Sequence, residues 1–75
     1  MSAELPAVTA KQVARIAERI GFELRRQRGS HAIYVRTSDK ARVVIPLHSG
    51  DLKRKTLRGI IADLKLSVEE FQRLL

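Results

Sequence analysis

The sequence holds two histidines, and the first, His31, follows the pair Gly29-Ser30 at the predicted start of a strand. Arg25, Arg26 and Arg28 precede it and Arg36 follows it. Positive neighbours disfavour an imidazolium and should hold such a ring neutral at about pH 7. A neutral imidazole can accept a proton as a general base, and RNA brings its own nucleophile in the 2′-hydroxyl. One histidine, with cations for the phosphorane and no metal, is therefore enough in principle to cleave RNA. His31 also reads as a surface or capping histidine, and residue chemistry alone leaves both readings open.

The second imidazole, His48, stands in the segment Leu47-His48-Ser49-Gly50-Asp51. It reads as an RNA contact, as a general acid, or as a residue that helps cap the helix that follows. Gly29 and Ser30 read either as a plain turn or as a place where a phosphate approaches the backbone and Ser30 donates to it. Lys53, Arg54, Lys55 and Arg58 cluster where a helix should begin. Cations at a helix N-terminus oppose its dipole, so they are a small local cost that bound phosphate would offset; a solvated basic turn is the plainer reading. Arg36 and Arg42, on neighbouring strands, are candidates to extend the basic surface. Tyr34 reads as a base-stacking residue or as a packed strand tyrosine.

Charge favours a polyanionic partner. Fifteen Lys and Arg oppose eight Asp and Glu, for a net +7. Residues 22–58 carry ten basic and three acidic side chains, so the whole excess sits in that half of the chain. A field concentrated in this way attracts polyanions and speeds encounter with them. Three aromatic residues, Phe22, Tyr34 and Phe71, are too few for a reader of single-stranded bases built on aromatic platforms. With no cysteine there is neither a disulfide nor a thiolate zinc site, and two histidines make a structural metal unexpected. No cofactor is expected, and no P-loop, dinucleotide fingerprint or carboxylate pair appears. The N-terminal residues lack the pattern of a signal peptide, and the longest apolar runs fall far short of the ~20 residues that cross a bilayer. A cytoplasmic domain without membrane association is expected.

The elements that must position these residues read as follows. Residues 1–8 are expected to be a flexible leader and residues 9–75 a single domain, with a thin core that buries about 60% of the unfolded surface. Thr9 and Gln12 have capping-box spacing, and Val13, Ile16, Ala17 and Ile20 form an apolar stripe that Gly21 ends. Three strands follow. In the first, Phe22 and Leu24 alternate with polar residues up to the break at Gly29. The second, from His31 to Thr37, holds Ile33, Tyr34 and Val35; the third, Ala41 to Pro46, holds Val43, Val44 and Ile45. Ser38-Asp39-Lys40 is a hairpin turn signal. Leu57, Ile60, Ile61 and Leu64 form a second helical stripe, in which Gly59 weakens the helix by roughly 1 kcal/mol and so suggests close packing. Ser67 and Glu70 open a third, short helix. The expected fold is α+β, a small two-layer α-β-β-β-α-α domain with helices on one face of a three-stranded antiparallel sheet.

Taken in order, Gly21-Phe22, Arg28-Gly29-Ser30-His31 with Tyr34, Val44-Ile45-Pro46-Leu47-His48, Leu52-Lys53, Thr56-Leu57 with Ile60-Ile61, and Leu66-Ser67-Val68-Glu69-Glu70-Phe71 resemble the HicA toxins. These are the messenger-RNA-cleaving halves of HicA–HicB toxin–antitoxin pairs. The resemblance implies a fold like that of double-stranded-RNA-binding domains and a metal-independent endoribonuclease. It implies that the catalytic histidine is His31, and that a HicB antitoxin covers it and the surrounding basic surface. Lys55 and Lys65 stand where the family commonly has glycine, and the leader is longer than in many relatives. The alternative from the residues alone is a non-catalytic module for structured RNA, and a third is a small protein–protein adaptor.

Overall fold

The structure, a computed structural model, describes residues 5–75. Its elements follow the expected order: α1 (Ala10–Arg19), β1 (Glu23–Arg28), β2 (His31–Arg36), β3 (Ala41–Pro46), α2 (Arg54–Asp63) and α3 (Val68–Leu74). Both capping boxes form. The Thr9 side chain accepts from the Gln12 N–H while Gln12 reaches back to Thr9, and Ser67 and Glu70 repeat the exchange at α3.

The three strands pair antiparallel in the order β1-β2-β3. Ala32, Tyr34, Ala41, Val43 and Ile45 fall on one face and join Val13, Ile16 and Ala17 of α1 and Leu57, Ile60 and Ile61 of α2 in the core. Phe22, Leu64 and Phe71 close it. α1 and α2 lie over β3, which leaves β1 as an edge beyond their cover. All six residues of β1 are therefore exposed, and Leu24, expected to point inward by alternation, is 51% exposed. Arg25 is an extra residue in a bulge between Leu24 and Arg26, a device that twists an edge strand away from further pairing.

Three other expectations change. Residues 1–4 lie outside the described residues, but residues 5–8, read as leader, carry two core side chains, Leu5 (2% exposed) and Val8 (fully buried). The Leu52 N–H donates to the Val8 carbonyl at 2.8 Å, and Thr9 bridges to Asp51, so this segment ties the start of α1 to the start of α2. Gly59 is exposed, and a Cβ there would meet nothing within 4 Å; close packing is not its reason. Arg36, expected to add to a basic surface, is engaged at the end of the sheet far from His31. Its guanidinium donates to both Asp39 oxygens (2.9 and 2.8 Å) and to the Ile20 carbonyl at the end of α1 (3.0 Å). It also stacks 4.6 Å from the centre of the Phe22 ring. A cation that meets an orphan helix carbonyl, a carboxylate and an aromatic face at once binds three elements together.

Both long helices end in the same two-bond motif. At α1 the Gly21 N–H donates to the Glu18 carbonyl and the Phe22 N–H to the Ala17 carbonyl; at α2 Lys65 and Leu66 donate to Ala62 and Ile61. The motif needs a left-handed residue, and Lys65 supplies it with φ +65° against a steric cost of about 1–2 kcal/mol.

Two expectations follow for stability. Gly59→Ala and Lys65→Gly should each raise unfolding stability by about 1 kcal/mol, or roughly 4–8 °C in a thermal melt of a domain this size; a fall in either variant would contradict these local accounts. Second, the Arg36 guanidinium and the Ala41 N–H hold the Asp39 carboxyl down to about 2. A depressed carboxyl stabilises the fold fully above its unfolded value of about 4 and loses that contribution as pH falls through the folded value. The melting-temperature gap between wild type and Asp39→Asn should therefore close as pH falls from about 4 to about 2, and a gap that stays constant would exclude the ion pair as its source.

Candidate functional site

β1 runs toward one end of the sheet, β2 leaves from it and β3 returns to it, so the candidate residues meet at that end. Arg28 and His31 are cross-strand partners, and Gly29-Ser30 is the two-residue turn between them. Gly29 has φ +57° while Ser30 does not have positive φ, the pattern of a type II′ hairpin with glycine at its first central position. A Cβ on Gly29 would meet nothing within 4 Å. The glycine answers to the backbone conformation, and the turn stands open to an approaching group.

His31 is exposed. It alternates with the core residues Ala32 and Tyr34 and so lies on the sheet face away from the helices, in a row with Arg28 on one side and Pro46 on the other. Two further cations share this face by register, Arg26 opposite Ile33 and Arg42 opposite Val35. Arg26 was not singled out in the sequence as part of the site, because the bulge at Arg25 shifts the alternation that would have placed it. Among the described residues the His31 ring has no hydrogen-bond partner.

The Leu47 N–H donates to the Ser30 carbonyl, which extends the β2–β3 ladder one step past Pro46 and keeps the next residues beside the turn. His48 follows, exposed, with Nδ1 3.2 Å from the Ser49 carbonyl oxygen. The chain then turns through Gly50 (φ +86°), pairs at Asp51 with Thr9, and buries Leu52. Both α1 and α2 therefore begin at the His31 end. Each helix start carries about half a positive charge from its unpaired N–H groups.

The two starts are finished differently. Thr9 and Gln12 cap α1, whereas α2 has Lys53 at its N-cap with no side-chain hydrogen bond and no acidic residue in its first turn. Lys53, Arg54, Lys55 and Arg58 are exposed. Among the described residues Arg36–Asp39 is the only ion pair, so these four and Arg28 have no carboxylate partner. Lysine is a poor N-cap, and basic side chains over a helix start work against its dipole; both faults are those of an anion site.

Tyr34 is corrected from a possible stacking residue to a core one. It is 6% exposed, and burial, with the Glu18 charge, pushes its hydroxyl above the usual phenol range. The structure thus brings together Arg28, Gly29, Ser30, His31 and His48 with the start of α2, and removes Tyr34 and Arg36 from them. Two hollows lie elsewhere, lined by Ile16, Arg19, Leu74 and Leu75 and by Leu66, Glu70 and Arg73. Among the described residues no group of three His, Asp or Glu is placed to hold a metal, and no helix is long and apolar enough to cross a membrane.

No curated protein matches the chain. The sequence profile described as HicA toxin of bacterial toxin-antitoxin matches residues 10–66, from the first residue of α1 through the turn that closes α2, so the chain belongs to the HicA toxin family, the toxin half of a toxin–antitoxin pair.

Proposed function

We propose that this toxin is an endoribonuclease that cuts messenger RNA in the cytoplasm, with His31 as its proton-transfer group and no metal. The observation that carries the reading is the exposed His31 ring, without a hydrogen-bond partner among the described residues, at the end of the sheet where cations without described carboxylate partners and two helix starts converge. That field suits the phosphodiester backbone, and cations there stabilise the extra negative charge of a phosphorane. His31 takes the proton from a 2′-hydroxyl as that oxygen attacks phosphorus. Ser30, Arg28 and the Lys53-Arg54-Lys55 start of α2, with Arg58 one turn on, hold the phosphates, and the open turn at Gly29 lets one of them reach the backbone. A HicB-type antitoxin silences the toxin by covering this end.

Purified protein should cleave RNA in EDTA, and His31→Ala should cut about 10²–10⁴-fold more slowly while binding RNA as wild type does. Undiminished cleavage by the variant would remove His31 from the chemistry, and cleavage lost by wild type in EDTA would overturn the metal-free reading. Tight RNA binding with no cleavage at any protein concentration would make the chain a binding module instead.

The α2 cluster is tested by salt. In the His31→Ala background, Lys53→Ala, Arg54→Ala and Lys55→Ala should each weaken binding across sequences and flatten the slope of log K against log salt by about 0.7–1. An unchanged slope for all three would place the phosphates elsewhere.

A further inference from the structure

Attack by a 2′-hydroxyl needs two proton transfers on opposite sides of phosphorus. One group removes the proton of the attacking oxygen, and another protonates the leaving O5′. A single imidazole serves only one side in one step and leaves the other transfer to water or to a second residue. Building on the ribonuclease reading above, we propose that His48 is the second catalytic residue, the general acid that protonates O5′, with His31 as the base.

The register brings the two rings to one place. Pro46 is the cross-strand partner of His31, and the Leu47-to-Ser30 hydrogen bond keeps the chain alongside the turn. His48 is two residues beyond Pro46. Its Cα is then no more than about 12 Å from that of His31, adding two residues of extended chain to one cross-strand spacing. Two side chains reaching inward across that span can flank one phosphodiester.

The hydrogen bonds divide the roles. A carbonyl oxygen only accepts, so the contact of His48 Nδ1 with the Ser49 carbonyl fixes a proton on Nδ1. When the ring is charged, the proton it can give away is therefore on Nε2, and the carbonyl stays matched to the ring before and after transfer. Among the described residues His31 has no such tie, so nothing there holds either ring nitrogen as a donor. No carboxylate among the described residues bonds to either ring, and the Ser49 carbonyl is the group that orients His48.

In the step, O2′ bonds to phosphorus as its proton passes to His31, and the P–O5′ bond breaks as the Nε2 proton of His48 passes to O5′. The products are a 2′,3′-cyclic phosphate and a 5′-hydroxyl, with no other reactant consumed. Proton exchange with solvent resets both rings.

The test compares ordinary RNA with RNA carrying sulfur in place of O5′ at the scissile bond, because a thiolate leaves without being protonated. Wild type should cut both. His48→Ala and His48→Gln should lose about 10²–10⁴-fold on the oxygen substrate and recover to near wild type on the sulfur one, while His31→Ala stays slow on both. Equal loss of both His48 variants on the two substrates would overturn the acid role in favour of RNA contact or structure. Full activity of His48→Ala on ordinary RNA would overturn it outright while leaving the ribonuclease reading standing. Wild type failing on both substrates would instead bring down the ribonuclease reading and this proposal with it.

Discussion

β2 is hydrogen-bonded along both edges, to β1 and to β3, and its first residue is His31. That double pairing is what the rest of the site depends on. It fixes Arg28 and Pro46 as the neighbours of His31, sets Ala32 and Tyr34 toward the core, and so commits His31 to the open face. One more ladder bond, from Leu47 to Ser30, carries the constraint past the end of β3 and delivers His48 and the start of α2 to the same edge. A slip of one residue in this register would turn every β2 side chain over, sending His31 toward the helices and Tyr34 into solvent.

The two ends of the sheet are built for opposite tasks. At the far end Arg36 joins Asp39, the Ile20 carbonyl and the Phe22 ring, so charge there is neutralised and put to structural use. At the His31 end the cations have no carboxylate partners among the described residues, and α2 starts without a side-chain cap. An uncapped start surrounded by like charges costs the fold about 1 kcal/mol or more. Against that cost, Leu5, Val8 and Leu52 bury apolar surface in the segments that lead into the two helices.

Much of this was legible in the sequence, for physical reasons. Capping boxes at Thr9 and Ser67 are local chemistry, since three residues of spacing suffice to exchange two hydrogen bonds. The helical stripes were long enough to show their period, and the runs Ile33-Tyr34-Val35 and Val43-Val44-Ile45 marked β2 and β3 by strand-forming residue type. What escaped reading depends on tertiary neighbours. Leu5 and Val8 are two apolar residues around a proline, too few to show periodicity, and only their tertiary burial makes them core. Leu24 alternates correctly but lies on an edge that no helix covers. Arg36 is one arginine among many until Gly21 ends α1 against it, where a Cβ on that glycine would sit 3.3 Å from the arginine's Cδ. At the candidate site, His31, Gly29 and the lysine–arginine run were visible as types in a pattern. Arg42 was named there too, but its face needed the register, and the bulge at Arg25 hid the place of Arg26.

The central claim is that RNA's own 2′-hydroxyl is the nucleophile at a metal-free histidine site, and the chemistry of the cut ends reports on it most directly. Mass spectrometry of short RNA fragments released by the pure toxin should find 2′,3′-cyclic phosphate, or the 3′-phosphate it hydrolyses to, on one fragment and a 5′-hydroxyl on the other. Fragments ending in a 3′-hydroxyl and a 5′-phosphate would show that water attacked instead, and would contradict the account.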